Sequence, residues 1–283
     1  MQRRQRLVLI GAIAAAVAVL GGAVVATAMD RPSRIGTGST SQVSSAESCP
    51  PADAKPSQTT EIATAKLILE FNATDGDLGV HGAFDDHGWR VLCVFDPTGR
   101  LVLRVTPESQ LRDLTMAGIF FESREPPLAE FGFADLPSTF PEGKYTVRAE
   151  SFDGKILVGS ATFTHDVPAA PVIDAPSLAL DPQGAKKNIV PLEDLAIQWQ
   201  DVIETVDGTP VHITGYEVIV TKEGAEDPNG FSQPIYDVHV LPTLNSLRVP
   251  VEFLEADTVY ELEVLALEVS GNQTITVGFF KTL

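Results

Sequence analysis

Short runs in which apolar and polar residues alternate follow one another from residue 62 to the end of the chain. In KYTVRAESF, Tyr145, Val147 and Ala149 are separated by single polar residues, and this period of two is typical of a strand with one buried face. Turn-forming pairs such as Asp153-Gly154 stand between the runs. The less strand-like piece LAEFGFADLPSTFPEG predicts a short helical turn before Pro141. The pattern as a whole predicts an all-β protein of antiparallel strands.

The runs fall into two groups, separated by the proline-rich stretch VPAAPVIDAP. The first group, residues 61–168, predicts one antiparallel β-sandwich. The second, residues 171–283, has strands spaced as a seven-stranded sandwich requires. Repeated proline ends strand pairing and stiffens the chain, so the stretch predicts a hinge of limited freedom. We therefore expect two tandem β-sandwiches that fold independently.

The first 28 residues have the composition of an export signal. Three arginines precede an uncharged run of 22 residues, 7–28, which ends in the small-x-small sequence Ala26-Thr27-Ala28. A cleaved signal peptide and an uncleaved transmembrane anchor both fit this pattern. Either one exports the remainder, which is then secreted, periplasmic or anchored to the cytoplasmic membrane facing outward. Residues 29–60 are rich in Ser, Thr and Pro and predict a flexible, disordered spacer.

The formal net charge of the chain is -18. Nucleic acids and anionic membrane surfaces are bound through clustered Lys and Arg, so this charge argues against both as partners. Contact with a membrane is expected only through the N-terminal segment. A soluble, exported protein kept from aggregating by its own charge is a sufficient explanation.

A search for catalytic motifs gives no candidate. The chain has five histidines, but none stands in a recognised spacing, and H-E-x-x-H, G-x-S-x-G and P-loop sequences do not occur. The sequence therefore predicts a protein that is not an enzyme, with no catalytic residues.

The two cysteines lie in different surroundings. Cys49 stands in a polar stretch, where it would be a poor core residue, and Cys93 lies in the apolar run VLCVFD. Export permits a disulfide between them. The alternative is that Cys93 is a plain buried thiol. Spacing alone does not decide between the two interpretations.

Oxygen-bearing side chains are concentrated in NATDGDLGVHGAFDDHGW, a glycine-rich stretch that we interpret as loops. They are Asn72, Asp75, Asp77, Asp85 and Asp86. Ca²⁺ takes six to eight oxygen ligands, and EF-hand spacing is absent, so the hypothesis is a weak calcium site with Kd on the order of 10⁻⁴–10⁻³ M. The plainer alternative is a set of solvated turn formers and no cofactor. A zinc pair of His81 and His87 is a third interpretation.

Aromatic residues of the second group occupy a recognisable pattern. Trp199 closes an apolar alternation, Tyr216 opens the next strand, and Leu254 precedes Tyr260 by six residues in LEADTVY. This arrangement resembles the fibronectin type III domain, with its core Trp, core Tyr and L-x-P-G-T-x-Y corner, although Ala256-Asp257 replaces Pro-Gly here. The resemblance implies that Tyr260 buries its ring while its hydroxyl bonds backbone a few residues upstream.

The first group is similar to bacterial immunoglobulin-like modules in FPEGKYTVRAESFDGKILVGSATFTHDVP. The whole chain resembles exported bacterial proteins of unknown function. This likeness adds no activity. The architecture as a whole, an export segment and spacer followed by two sandwiches, favours a non-enzymatic binding or structural protein of the cell envelope or extracellular space, with a protein partner. The alternatives are a carbohydrate-binding module and an accessory subunit of an extracellular hydrolase. An exposed pair of aromatics would favour a glycan ligand, and a groove with strongly shifted carboxylates would favour an enzyme.

Overall fold

The computed structural model describes residues 48–225 and 235–283. The predicted signal or anchor, residues 1–28, and most of the predicted spacer lie outside the described residues. Within the described ranges, no helix is long and apolar enough to span a membrane.

The first half is built of seven strands and two short helices. The strands are β1 (Thr59–Glu61), β2 (Thr64–Asn72), β3 (Asp77–Phe95), β4 (Leu101–Val105), β5 (Met116–Glu122), β6 (Gly143–Ser151) and β7 (Ile156–Phe163). The helices are α1 (Ser109–Leu114) and α2 (Leu136–Thr139). The position of α2 confirms the helical turn predicted before Pro141. Apart from the parallel β1–β7 pair, the strands of this half pair antiparallel.

The long strand β3 replaces the loops that the sequence suggested between residues 72 and 89. Its first part pairs with β2 and β5, and its second part pairs with β4 and β6. Leu78, Val80 and Phe84 alternate along it and are buried. Glycine is needed between them at Gly82, since a Cβ there would lie 2.3 Å from Phe121 Cε1. The glycines thus allow β5 to pack closely against β3, and they do not interrupt that strand.

A closed apolar core fills the first half. Trp89, Tyr145 and Phe163 are each at most 1% exposed, and the rings of Tyr145 and Phe163 make an edge contact at 5.5 Å. The Tyr145 hydroxyl donates a hydrogen bond of 3.1 Å to the Pro141 carbonyl, four residues upstream. The start of β6 is thereby fixed to the end of the preceding turn.

The second half has eight strands in two facing layers. They are β8 (Ile173–Ala175), β9 (Ile189–Val190), β10 (Ala196–Trp199), β11 (Ile213–Lys222), β12 (Ile235–Val240), β13 (Ser246–Arg248), β14 (Val259–Glu268) and β15 (Gln273–Thr282). One layer has the order β13-β10-β8, and the other continues from β15 through β14 and β11 to β12. A buried core that includes Trp199, Tyr216 and Tyr260 lies between them. The predicted all-β sandwich class is confirmed.

The two halves share one sheet of 12 strands. β15 of the second half pairs in parallel with β2 of the first, in the register Gln273 with Glu70 and Ile275 with Asn72. We call the pairing of β2 with β15 the seam between the halves. The proline stretch runs along it, because side-chain hydroxyls of β15 donate to the carbonyls of Pro168 at 2.6 Å and Pro171 at 2.7 Å. This segment is therefore held against β15 by hydrogen bonds and is not the hinge that its prolines suggested. The domain limits 61–168 and 171–283 stay a prediction.

Asn272 ties three segments together at the seam. Its side chain is buried, and its Oδ1 accepts a hydrogen bond of 2.8 Å from the Leu69 amide of β2. Its Nδ2 donates to the carbonyls of Thr164 and Asp166, at 3.1 and 3.2 Å. A single amide side chain thus connects β2, the segment after β7 and the start of β15.

Candidate functional site

The five residues of the calcium hypothesis do not come together. Asn72 and Asp75 share a tight turn, where Asn72 Nδ2 donates to Asp75 Oδ2 at 3.0 Å. Asp77 begins β3 opposite Asn72, whereas Asp85 pairs with Thr64 at the far end of the same hairpin. Eight residues of strand separate Asp77 from Asp85, roughly 26 Å. These side chains therefore do not form the single coordination shell that the calcium hypothesis requires.

The two members at the far end already have local roles. The carboxylate of Asp86 accepts hydrogen bonds from the amides of Ala63 at 2.9 Å and His87 at 2.7 Å. His87 is exposed and His81 is buried, so these histidines face different surroundings. The residues whose ligand atoms lie close to those of His81 are Glu70 and Glu125.

The cysteines are joined. Cys49 and Cys93 form a disulfide with a Cα–Cα distance of 5.8 Å. Cys93 lies on β3 and is fully buried, so the bridge fastens the segment before β1 to the centre of the first sandwich.

The four residues that carry the fibronectin type III resemblance lie in one core. Trp199 and Tyr216 have ring centroids 5.4 Å apart, and the Tyr216 hydroxyl accepts a hydrogen bond of 2.8 Å from the Val202 amide. Leu254 is 8% exposed and belongs to the same core. The Tyr260 ring is buried, and its hydroxyl accepts from the Glu255 amide at 2.8 Å. Their role is therefore structural, at one end of the sandwich.

We expect Tyr260→Phe to lower the free energy of unfolding by about 1–3 kcal/mol, because the Glu255 amide loses its acceptor in a partly buried position. Urea denaturation of the whole chain measures this change. Tyr236→Phe is the matched control, since the Tyr236 hydroxyl donates to the Arg248 carbonyl in an exposed position. An effect no larger than that of the control would contradict a stabilising role for the Tyr260 hydroxyl.

A histidine lies between two carboxylates where β2, β3 and the segment after β5 meet. His81 Nε2 is 2.9 Å from Glu125 Oε1, and its Nδ1 is 3.6 Å from Glu70 Oε2. Burial alone would lower the pKa of His81, but the bond to Glu125 and the charge of Glu70 outweigh it, so that the pKa is raised. Burial also raises the pKa of Glu70. Although the ligand atoms are close enough to share an ion, the His81 ring is already hydrogen-bonded to Glu125.

A second group of titratable side chains lies on β11 and β12. We call Glu217, Asp237 and His239 the β11–β12 cluster. Glu217 pairs directly with His239, and Asp237 stands two residues before His239 on the same strand. Glu217 is 4% exposed. Burial, and next the negative charge of Asp237, raise the pKa of Glu217 to about 8.

This cluster has unsatisfied oxygens. Among the described residues, Glu217 Oε1 and Asp237 Oδ1 have no hydrogen-bond partner. His239 Nε2 approaches Glu217 Oε1 to 3.3 Å without forming a hydrogen bond. On the next strand, Glu263 is 4% exposed and its Oε2 is also unpartnered. Burial, and then the neighbouring Glu261, raise the pKa of Glu263 well above its usual range.

Our sequence reasoning missed these residues, although a signal was present. Glu217 stands in YEVIV and Glu263 in LEVLAL, where single acids interrupt runs that are apolar on both faces. A charged residue in such a strand is buried together with its neighbours, and a buried charge is rare without a partner. A single acid within an apolar strand was therefore the sequence signal for this site.

A different feature dominates the surface between β4 and β5. We call residues 101–120 the β4–β5 surface. Leu111 and Leu114 of α1 are 58% and 78% exposed, and Phe120 of β5 is 48% exposed. Helix α1 contains no buried residue. Within the described part of the chain, β4 and β5 pair with no strand other than β3, so that each leaves one backbone edge open.

Comparison with known proteins gives structural matches alone. No family model matches the chain, and no curated protein matches it. The FN1–FN3 domains of chicken CNTN1 align at 14% identity and a TM-score of 0.31, covering 80% of this chain and 68% of that one. A 1.5-MDa bacterial ice-binding adhesin aligns at 15% identity and 0.25, covering 79% and 65%. A tetra-tandem repeat from the extending region of a large adhesion protein aligns at 12% and 0.24, covering 78% and 50%. We base no functional argument on likenesses of this size.

Proposed function

We propose that this chain is an exported, non-enzymatic binding protein that presents the β4–β5 surface to a protein partner. The observation that carries the proposal is the exposure of Leu111 and Leu114 on a helix that buries nothing. Apolar side chains brought together on a surface mark interaction sites in soluble proteins. The open edges of β4 and β5 add backbone donors and acceptors that an extended partner segment can use.

The composition of this surface favours a protein over a glycan. Sugar-binding surfaces stack rings on exposed Trp or Tyr, but Trp89 and Trp199 are buried here, as are Tyr145, Tyr216 and Tyr260. Among the described Phe, Tyr and Trp residues, Phe120 is the most exposed, at 48%. The apolar part of the β4–β5 surface thus consists of aliphatic side chains and one phenyl ring, which suits a protein partner.

The carboxylates with raised pKa values do not favour a hydrolase. They lie on the face of a sheet, whereas a cleft of about 470 Å³ is lined by Glu193, Asp194, Arg248 and the residues that follow it. None of the shifted carboxylates is in that lining. An acid or base needs a cleft that holds the substrate beside it, so we propose a role without catalysis.

Cross-linking in the producing cells tests this proposal. A photoreactive amino acid replaces Leu114 in one full-length variant and Leu180 in the control, since Leu180 of the second half is 83% exposed. We expect a defined protein adduct from position 114 and none from position 180. The identified partner is then purified and its affinity for the chain is measured.

The double variant Leu111→Ser/Leu114→Ser should weaken that affinity at least tenfold, as expected when two apolar anchors are removed. It should melt at the temperature of the unmodified protein, because neither side chain is buried. Leu180→Ser is the matched control and should leave the affinity unchanged. Equal cross-linking at both positions, or an affinity indifferent to the double variant, would reject the β4–β5 surface.

A further inference from the structure

We propose that Glu217, Asp237 and His239 form a binding site for a divalent transition-metal ion of the Zn²⁺ type on the second sandwich. The β11–β12 cluster offers one imidazole nitrogen and two carboxylate groups from neighbouring strands. One ligand atom from each residue lies within 4.8 Å of the others. The site is separate from the β4–β5 surface, and its occupation does not depend on the function proposed there.

One pair of ligand atoms already has the spacing of a metal site. His239 Nε2 lies 3.3 Å from Glu217 Oε1. Two ligands held at about 2.0–2.1 Å from Zn²⁺ in tetrahedral geometry stand roughly 3.3–3.4 Å apart. A hydrogen bond would require a shorter contact in better alignment. The pair is therefore positioned for a shared ion more than for a mutual bond.

His239 is the one basic side chain that compensates the acids of the cluster in the described part of the chain. There, Glu217 and Asp237 form no ion pair with Lys or Arg, and the two carboxyl groups share a hydrogen bond. Glu217 is more than nine-tenths buried, with its Oε1 unpartnered and directed at His239. Buried carboxylates are ordinarily paired or coordinate a metal. Glu263, equally buried and with an unpartnered oxygen, adds to the negative charge behind the cluster.

The ligand types select the class of ion. Imidazole suits Zn²⁺ and other first-row metals, whereas Ca²⁺ and Mg²⁺ prefer oxygen ligands alone. The His239 side chain is 64% exposed, so an ion reaches the site from solvent. Three protein ligands leave a fourth position for water.

The group of Glu70, His81 and Glu125 provides a contrast. There the ligand atoms bond one another, with His81 Nε2 at 2.9 Å from Glu125 Oε1. A metal would have to break that contact. In the β11–β12 cluster the contact between His239 Nε2 and Glu217 Oε1 is not a hydrogen bond, which is why we place the ion there.

Calorimetric titration of the full-length protein with ZnCl₂, after treatment with EDTA and dialysis, tests this inference. We expect one Zn²⁺ per chain and a higher melting temperature with Zn²⁺ than with EDTA. His239→Ala and Asp237→Asn should each weaken binding at least tenfold. His212→Ala, which removes an exposed histidine outside the cluster, should change nothing. Co²⁺ in place of Zn²⁺ should give a visible absorption spectrum that His239→Ala abolishes.

Four results would overturn the inference. They are no Zn²⁺ binding by the unmodified chain, binding unchanged in both His239→Ala and Asp237→Asn, an equal loss in His212→Ala, and Ca²⁺ binding as tight as that of Zn²⁺. The exposed position of His239 makes its variant certain to be informative, since its removal leaves the core intact. The melting temperature without metal verifies that point.

Discussion

The double variant Cys49→Ala/Cys93→Ala should lower the free energy of unfolding by about 4 kcal/mol. The bridge closes a loop between residues 44 positions apart, and opening it returns the corresponding conformational freedom to the unfolded chain. The cost is large for a single bond because the closed loop is long and the loss of chain entropy grows with its length. Urea denaturation of the oxidised protein and of the variant gives the difference.

Reduction provides the matched control for this experiment. Dithiothreitol should shift the midpoint of the unmodified protein toward that of the variant, and it should leave the variant unaffected. The comparison separates loss of the bridge from loss of packing at Cys93, which is fully buried. Midpoints that coincide for oxidised protein and variant would contradict a stabilising disulfide.

Asn272→Ala should lower the free energy of unfolding by about 2–4 kcal/mol, because it leaves one buried and two partly buried hydrogen bonds of the backbone unmade at once. The Leu69 amide and the carbonyls of Thr164 and Asp166 all lose a partner. Hydrogen exchange should also accelerate at the Leu69 amide more than at amides in the middle of β6. Thermal and urea unfolding measure the stability, and exchange locates the change.

Asn188→Ala is the matched control for the junction. The Asn188 side chain donates to Ser177 at 3.4 Å in an exposed position, so its removal should cost less than about 1 kcal/mol. If the two variants are equally stable, the Asn272 side chain does not stabilise the pairing of β2 with β15. If stability falls but exchange at Leu69 does not change, the loss arises elsewhere.

The second sandwich was predictable because its signals are local. In strands such as VYELEVLALE, the alternation of side chains indicates one buried face. The spacing of the large side chains Trp199, Tyr216 and Tyr260 indicates which layer of the sandwich each strand belongs to and where the tyrosine corner lies. The Glu255–Tyr260 bond spans five residues. Such short-range relations can be recognised in a single sequence.

The first sandwich was predicted less well where two signals conflicted. Asp and Gly between residues 72 and 89 favour turns, and they outweighed the alternation of Leu78, Val80 and Phe84. The structure follows the alternation, because burial of three large side chains on one face is worth more than turn propensity. Of the turn signals, those at 73–76 do form the turn between β2 and β3.

The candidate sites depend on contacts that a single sequence does not reveal. The β11–β12 cluster needs the register that sets Glu217 beside His239, and the exposure of Leu114 follows from a helix that packs no residue into a core. The pairing of β2 with β15 joins Glu70 to Gln273, 203 positions away. No local pattern predicts a partner at that distance, although the lone acids within apolar strands indicated where to look.

The β2–β15 pairing has a consequence for the order of events during biosynthesis. At translation rates of about 5–20 residues per second, roughly 10–40 s pass between the appearance of β2 and that of β15. During that interval the Leu69 amide and its neighbours form an open strand edge, able to accept a strand from another nascent chain. We therefore expect the first half to be most prone to aggregation while synthesis is incomplete. This tendency should end once Asn272 has been synthesised and pairs with the Leu69 amide.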